Sequence, residues 1–284
     1  MARGCKQLDI ERVRSLLDTQ VLGSGDRLVF LPVVASTNTL AMKLALDGSE
    51  EGVVVLTDNQ TAGRGRQGRP WIDRAGCNAL SSSVLHPLFP PHLLVMLASL
   101  AVVAAAAETC GVAATIKWPN DVLIAERKVA GILIETSHTR TGRLAAVVGI
   151  GVNVNGQIQQ FTAGMPASQQ AERGIAATAT TLEEANGHVV DREAFIANLL
   201  RHLEHQYLAL QQEAQDPTTQ GDGPISRLIR EQWRGQLSIL GRTIQVHQGN
   251  TLLSGVAEDV NENGELLLRT HSGERISITW GDVT

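Results

Sequence analysis

The densest chemistry in the chain lies in Thr61-Ala-Gly-Arg-Gly-Arg-Gln-Gly-Arg-Pro-Trp71, where Gly63, Gly65 and Gly68 are interleaved with Arg64, Arg66 and Arg69. Glycine lets a backbone turn through positive φ and approach a ligand closely. Arginine presents a rigid fork of N–H donors that matches carboxylates and phosphates. Like charges this close repel one another, so the stretch reads as a loop that wraps an anionic ligand. The spacing Gly63-x-Gly65-x-x-Gly68 also matches the dinucleotide fingerprint. Pro70, Trp71 and polar residues follow where that motif needs a helix, and no βαβ unit or ribose-binding acid is evident.

A second constellation is Lys117-Trp-Pro-Asn-Asp121, followed by Lys128-Val-Ala-Gly131. Asn120 and Asp121 offer hard oxygen donors for a ribose or a magnesium ion, and Pro-Asn-Asp is equally good turn chemistry. Lys128 is a compact point charge that could meet a carbonyl or phosphoryl oxygen. Two of the four lysines lie in this segment, against twenty arginines in the chain. Gly149-Ile-Gly-Val-Asn153 ends an apolar run with two glycines, the mark of a close approach by a ligand or another backbone. No GxxxxGK[ST], GxSxG or HExxH motif is present, and His202 and His205 fit a solvent-facing helix better than a metal site.

The elements that must position these residues follow from periodicity. Residues 8–19 have helical spacing; 27–35 read as a strand in which Pro32 marks an edge or bulge. Ser36-Thr-Asn38 supplies N-cap candidates for a helix over 39–47. An apolar strand over 52–57 delivers the chain into the arginine loop. Further strands are expected at 78–86, 114–118, 122–125, 129–136 and 144–154, with a tight turn at 126–128. Pro90 and Pro91 open a long apolar helix through 109, closed by Gly111. This order implies an α+β fold, a mixed sheet with helices packed on one face. A surface loop over 156–180, a helical turn at 182–185 and helices over 191–214 and 225–233 come next. Short alternating runs beyond Gly235 read as a small SH3-like β-barrel. The expected division is a lead-in helix (1–25), a catalytic domain (26–234) and a C-terminal β domain (235–284).

A net charge of −5 offers no general case for nucleic acid. The apolar run 93–107 is shorter than a bilayer requires, and the first residues lack a signal core, so a soluble cytoplasmic protein is expected. Cys5, Cys77 and Cys110 are odd in number and far apart, which argues against a disulfide framework and a cysteine zinc site.

Taken together, Gln60 to Trp71, Lys117 to Asp121, Arg127-Lys-Val-Ala-Gly-Ile-Leu-Ile-Glu135 and Gly149 to Asn153 resemble the biotin–protein ligases in order and spacing. Ser36-Thr-Asn38 fits the same family's biotin-pocket triplet, and the resemblance runs from about Leu28 to the end. It implies a class II aminoacyl-tRNA-synthetase-like catalytic fold. It also implies that biotin and ATP, with Mg²⁺, give biotinyl-5′-AMP, and that biotin then passes to a lysine of a biotin carboxyl carrier protein domain. By this likeness Ser36, Thr37, Asn38, Gln60, Gly63, Arg64, Gly131 and Gly149 surround biotin. Arg66, Arg69, Trp71, Asn120, Asp121, Lys128 and Asn153 face the nucleotide. Lys128 touches the reacting carboxylate and α-phosphate, Arg66 acts with it on phosphate, and Asp121 orients or deprotonates the acceptor lysine; the metal ligands stay unassigned. The stretch before Leu28 is shorter than the winged helix-turn-helix of repressor relatives, so ligation without repression, and no DNA or membrane partner, is expected. Lipoate–protein ligation on the same catalytic fold, and a binding module without turnover, remain the alternatives.

Overall fold

The computed structural model describes residues 5–161, 174–219 and 222–284, so part of the expected 156–180 loop lies outside the described residues. Its core is a seven-stranded mixed sheet ordered β1-β2-β3-β7-β6-β5-β4. The strands are β1 (Leu28–Val34), β2 (Val54–Gln60), β3 (Asn78–Leu85), β4 (Thr115–Lys117), β5 (Asp121–Ile124), β6 (Arg127–His138) and β7 (Leu144–Asn153). Only β1 and β2 run parallel; the remaining pairs are antiparallel. Pro32 falls in β1, the edge strand, where a missing N–H costs no ladder bond.

The helices are α1 (Ile10–Leu16), α2 (Thr37–Leu46), α3 (His92–Cys110), α4 (Ile158–Phe161), α5 (Ile175–Thr178), α6 (Leu182–Asn186), α7 (Arg192–Gln215) and α8 (Pro224–Gln236). Alternation along β2 divides the core in two. Val54 and Leu56 join the large cluster beneath α3, α7 and α8, whereas Val53 and Val55 pack with Ala41 and Ala45 of α2. Helix α3 is apolar all round because the sheet, α7 and α8 enclose it. It is long and apolar enough to cross a membrane, yet most of it is buried inside the protein. Fully buried Leu94 and Leu97 each contribute about 1.5–3 kcal/mol by leaving water. Gly111 stops the helix at φ 68°, as expected.

The segment before β1 is bound to this body rather than hanging from it. The Glu204 carboxylate accepts the backbone N–H groups of Gln20, Val21 and Leu22 at 2.6, 2.8 and 2.6 Å. Asp58 of β2 accepts the Leu8 N–H and pairs with Arg192 at 2.9 Å, both side chains being almost fully buried. Arg192 donates in turn to the carbonyls of Lys6 and Asn78. Cys5 is disulfide-bonded to Cys77 across 72 residues, which corrects the expectation that no disulfide forms. Count and spacing carried no information on proximity: the Lys6 N–H donates to the Gly76 carbonyl at 3.2 Å, and this backbone contact lays the two cysteines side by side.

Beyond α8, five antiparallel strands form a second sheet ordered β11-β10-β9-β8-β12. They are β8 (Thr243–Gln248), β9 (Thr251–Val260), β10 (Leu266–Thr270), β11 (Arg275–Ile278) and β12 (Asp282–Val283). This sheet is open, not a closed barrel. It is fastened beside the β4–β5 hairpin: Trp118 Nε1 donates to the Gly264 carbonyl at 2.9 Å, and the Ser238 N–H to the Ile116 carbonyl at 2.9 Å.

Candidate functional site

Strand β2 feeds the glycine–arginine stretch, which folds back on itself as a small hairpin. The Trp71 N–H donates to the Gly63 carbonyl at 2.9 Å, and the Gly65 N–H to the Arg69 carbonyl at 2.7 Å. At the tip Gln67 and Gly68 both take positive φ, 55° and 72°. The turn aims the three arginines in different directions. Arg64 Nη2 contacts both Glu135 carboxylate oxygens, at 2.9 and 2.7 Å, and Arg66 Nη1 donates to Asn120 Oδ1 at 2.8 Å. Arg69 pairs with Asp282 of β12, in the second sheet. Burial lowers the pKa of Arg66, an effect that Asp282 and Asp121 oppose.

A first cavity, about 30 Å³, lies on the α2 face of the sheet and is lined by Ser36, Thr37, Asn38, Gln60, Arg64, Trp71, Gly131 and Gly149. Seven of the eight expected biotin residues therefore meet in one place. Ser36 caps α2, its side chain accepting the Thr39 N–H, and so exposes the first turn. The Thr37 N–H and Oγ1 lie 2.9 and 3.1 Å from Gln60 Oε1. Asn38 reaches across the sheet so closely that a Cβ on Gly149 would sit 2.0 Å from its Oδ1. Gly63, the eighth, lies at the base of the arginine hairpin, hereafter the lid, rather than in the wall; a Cβ there would lie 2.9 Å from the Trp71 carbonyl oxygen. Gly131 and Gly151 are paired across β6 and β7, and their bare backbone is the floor on which Trp71 lies. A Cβ on Gly151 would come within 2.8 Å of the indole. Trp71 Nε1 is buried with no partner, a donor aimed at nothing in the protein itself.

A second, larger cleft of about 870 Å³ opens between the lid, the β4–β5 hairpin and the C-terminal sheet. Arg66, Arg69, Lys117, Asn120, Asp121 and Lys128 line it from one side, and Arg242, His247 and Asp282 from the other. Lys128 stands where the two cavities meet. Its Nζ is 2.7 Å from Asp121 Oδ1 and 5.7 Å from the Trp71 ring centroid, within cation–π range. The expected turn at 126–128 sits slightly earlier, at Ala125 and Glu126, whose φ values are 48° and 62°. Lys128 is consequently held in β6, and its carbonyl accepts the Thr180 N–H at 2.9 Å.

Asn153 lines neither cavity. It is buried, accepting from Asn78 Nδ2 at 3.0 Å and donating to the Thr180 carbonyl at 3.1 Å. Its place is behind the site, bracing the segment that pairs with Lys128. Conversely, Ser82, Glu135, Asp73 and Asp282 contact site residues without having been singled out. Glu135 was visible as the last residue of the Arg127–Glu135 motif; Asp282 carried no local signal, because only the tertiary fold brings it to Arg69.

Among the described residues no group of three or more His, Cys, Asp or Glu could hold a metal. Asp121 and Asn120 nevertheless place a carboxylate and an amide oxygen on the cleft wall. That donor set fits Mg²⁺, which commonly takes one or two carboxylates and completes its shell with water and substrate phosphate.

Residues 30–155 match the biotin/lipoate A/B protein ligase family, and residues 239–284 match the biotin protein ligase C-terminal domain. The chain is 33% identical over 270 residues to the bifunctional ligase/repressor BirA of Bacillus subtilis, covering 94% of this chain and 76% of that protein. It is 36% identical over 246 residues to a biotin–[acetyl-CoA-carboxylase] ligase of Paracoccus denitrificans, covering 85% of this chain and 93% of that protein. A biotin protein ligase from Aquifex aeolicus, solved in complex with biotin and ATP, has the same fold with a TM-score of 0.70 at 25% identity, over 90% of this chain and 97% of that one. Both matched segments, in this order, are those of a two-part ligase. The chain belongs to the biotin protein ligase family.

Proposed function

We propose that the chain condenses biotin with ATP to biotinyl-5′-AMP and then transfers biotin to a lysine of a biotin carboxyl carrier protein domain. One observation carries this reading: a small glycine-floored pocket and a wide charged cleft meet at Lys128 and Trp71, with arginines of a single loop reaching into both. Biotin takes the pocket, framed by Thr37, Asn38, Gln60 and Gly149. The nucleotide takes the cleft, where Arg66, Arg69 and Asn120 offer two guanidinium groups and an amide; Trp71, expected at the nucleotide, lines the small pocket instead.

In the first step a biotin carboxylate oxygen bonds to the α-phosphorus and pyrophosphate leaves. Two anions must approach each other, so Lys128 and Arg66 are placed where the developing charge needs fixed cations. Asp121 and Asn120 are the residues that would hold Mg²⁺, which would supply further neutralisation of the phosphates. The lid keeps water from the mixed anhydride. In the second step the neutral amine of the carrier lysine attacks the acyl carbon and AMP leaves, with Asp121 orienting the amine or taking its proton. We place this activity in the cytoplasm, with ATP and a biotin-dependent carboxylase.

The test is direct. Purified protein, ATP, Mg²⁺ and a carrier domain are incubated with biotin or with lipoate, and the carrier is weighed by mass spectrometry. A biotin adduct with pyrophosphate release is expected. Absence of both overturns the reading, and a lipoyl adduct in place of biotin moves it to the sister activity.

A further inference from the structure

The Cys5–Cys77 disulfide is the hub of a small core separate from the main one. Cys77, Ile158, Phe161 and Ala179 form a buried cluster, with Cys5 and Ile72 packed against it. Two members adjoin the site. Ile72 directly follows Trp71, and Ala179 pairs with Lys128 in an isolated β-bridge, where the Thr180 N–H donates to the Lys128 carbonyl at 2.9 Å. Cys77 also ties neighbouring segments together through its backbone. Its N–H donates to the Arg74 carbonyl at 3.0 Å, and its carbonyl accepts the Asn155 N–H at 2.9 Å. The residues packed on the sulfurs are thus one covalent or hydrogen-bonded step from Trp71 and from Lys128.

The two sulfurs differ in access. Cys77 is fully buried, whereas Cys5 is partly exposed. Both press on Gly156, where a Cβ would meet Cys5 Sγ at 3.3 Å and Cys77 Sγ at 3.5 Å. Cys5 alone of the pair also lines a cavity of about 310 Å³, together with Lys6, Asp58 and Arg74. The charge of that cavity is unbalanced. Asp58 is paired with Arg192 at 2.9 Å and Lys6 lies 3.8 Å from Glu193, but half-buried Arg74 takes part in no ion pair among the described residues. An attacking thiolate that carries a further negative charge is therefore drawn to Cys5 and shut out from Cys77. In a reducing compartment, where the activity is placed above, the disulfides that do form are usually catalytic or redox-sensing.

We propose that Cys5–Cys77 is a redox site opened by anionic thiols at Cys5, and that opening it lowers turnover by loosening the segment paired with Lys128. The effect on turnover rests on the functional reading above. In the first step a thiolate sulfur bonds to Cys5 Sγ, the bond between the two cysteines breaks, and Cys77 leaves as a thiolate that takes a proton from water. A second thiol of the reductant then displaces Cys5 from the mixed disulfide in the same way. The protein gains two electrons and two protons as two thiols, and the reductant is oxidised to its own disulfide. Once the bond is open, Cys5 is held in the small core by packing alone, and Ala179 loses the covalent anchor of the cluster on which it rests. Neither cysteine touches substrate; the pair acts through Ala179 and Lys128.

The experiment takes the oxidised full chain at fixed pH and follows loss of the disulfide with two thiols of similar acidity, anionic 2-mercaptoethanesulfonate and neutral 2-mercaptoethanol. Peptide mapping locates the mixed disulfide. At low salt the anion is expected to react about threefold faster, with the adduct on Cys5, and either high salt or Arg74→Gln should remove the preference. Pyrophosphate release with biotin, ATP and Mg²⁺ is measured in parallel. The reduced form is expected to turn over about tenfold more slowly than the oxidised form. Cys5→Ser should match the reduced form under either condition, and Cys110→Ser should keep the full difference. In Lys128→Ala the redox state should no longer change the residual rate, because the pair acts through that residue. Equal rates for the two thiols, an adduct on Cys77, equal turnover of the two forms, or a redox difference that persists in Lys128→Ala would overturn the proposal. Should neither form release pyrophosphate, the functional reading falls and the effect on turnover with it, while the exchange rates and the mapped adduct still decide the redox site.

Discussion

The proposed biotin pocket and the proposed nucleotide cleft adjoin where Trp71 of the one meets Lys128 of the other, yet they are built on opposite plans. Apart from Arg64 and Trp71 of the hairpin, the pocket's walls are regular elements, the first turn of α2 and strands β2, β3, β6 and β7, and its side-chain amides and hydroxyls are already bonded to one another. The cleft is walled by a loop, a hairpin and a separate sheet, and its cations rest on protein groups that occupy the place of an anion: Arg66 on Asn120, Arg69 on Asp282, Lys128 on Asp121. The contrast teaches a division of labour. Under the proposed assignment, recognition of a small uncharged ring system is given to rigid backbone. Under the same assignment, handling of a triphosphate is given to parts that can exchange one oxygen partner for another.

The largest break in this comparison is expected at the junction. Lys128→Ala removes the cleft cation that stands against Trp71 of the pocket and should lower kcat for pyrophosphate release about 10²–10³-fold. Its thermal midpoint should stay close to that of the wild type, because the Lys128–Asp121 pair is partly exposed. An unchanged kcat would remove Lys128 from the chemistry.

The bracing of the pocket side gives the next effect. Cys77 directly precedes β3, whose first residue, Asn78, holds Asn153. Cys5→Ser should cost about 2–4 kcal/mol in a denaturation measurement, the usual range for losing a native disulfide. Thiol titration of the unreduced, unfolded protein should find one thiol, Cys110. Disulfides are uncommon in a reducing cytoplasm. Trapping thiols at the moment of lysis, and finding all three cysteines blocked, would show that the pair stays open in the cell.

Gly149→Ala tests rigidity itself. Its Cβ would overlap Asn38 Oδ1, and overpacking of this kind costs about 1–3 kcal/mol. Biotin affinity measured by calorimetry should fall about 10- to 100-fold, while nucleotide affinity stays near wild type. An equal loss for both ligands would mean that the two regions are not separable.

This contrast also governs what could be read from the sequence. Elements built on periodicity and caps were legible: the edge position of Pro32, the Ser36 cap, the Gly111 stop and the apolar β7 all stand where local pattern put them. Most of the pocket was legible too, because its glycines and its Thr37–Asn38 pair lie in short motifs. Contacts that join distant segments were not. Nothing near Asp282 announces that it meets Arg69, and nothing near Cys5 announces Cys77. Asn153 misled in the opposite sense, since a polar residue at the end of a glycine-bearing strand can serve a ligand or brace a neighbouring loop, and here its amide is spent on Asn78 and Thr180.

The smallest effect is also the most discriminating, because stability and lid function should move in opposite directions. Burial raises the Asp73 pKa to about 6, against the acceptor bonds from Gln60 and Asn59 that pull it down. A carboxyl group whose folded pKa lies above its unfolded value binds its proton more tightly in the native state, so acid favours the fold through this group. As pH falls from 7.5 towards 4.5, wild-type stability should rise relative to Asp73→Asn, with most of the change between about pH 6 and the ordinary carboxylate range. Both oxygens of Asp73 are in use, one receiving the Gln60 N–H and the other Asn59 Nδ2, and a proton on either removes an acceptor. Adenylate retention should therefore weaken over the same interval in the wild type, and change little in Asp73→Asn, which lacks the titrating group. Thermal melts and adenylate-escape rates measured across one pH series decide the matter. Parallel rather than opposed trends would mean that Asp73 supports the fold and leaves the lid alone.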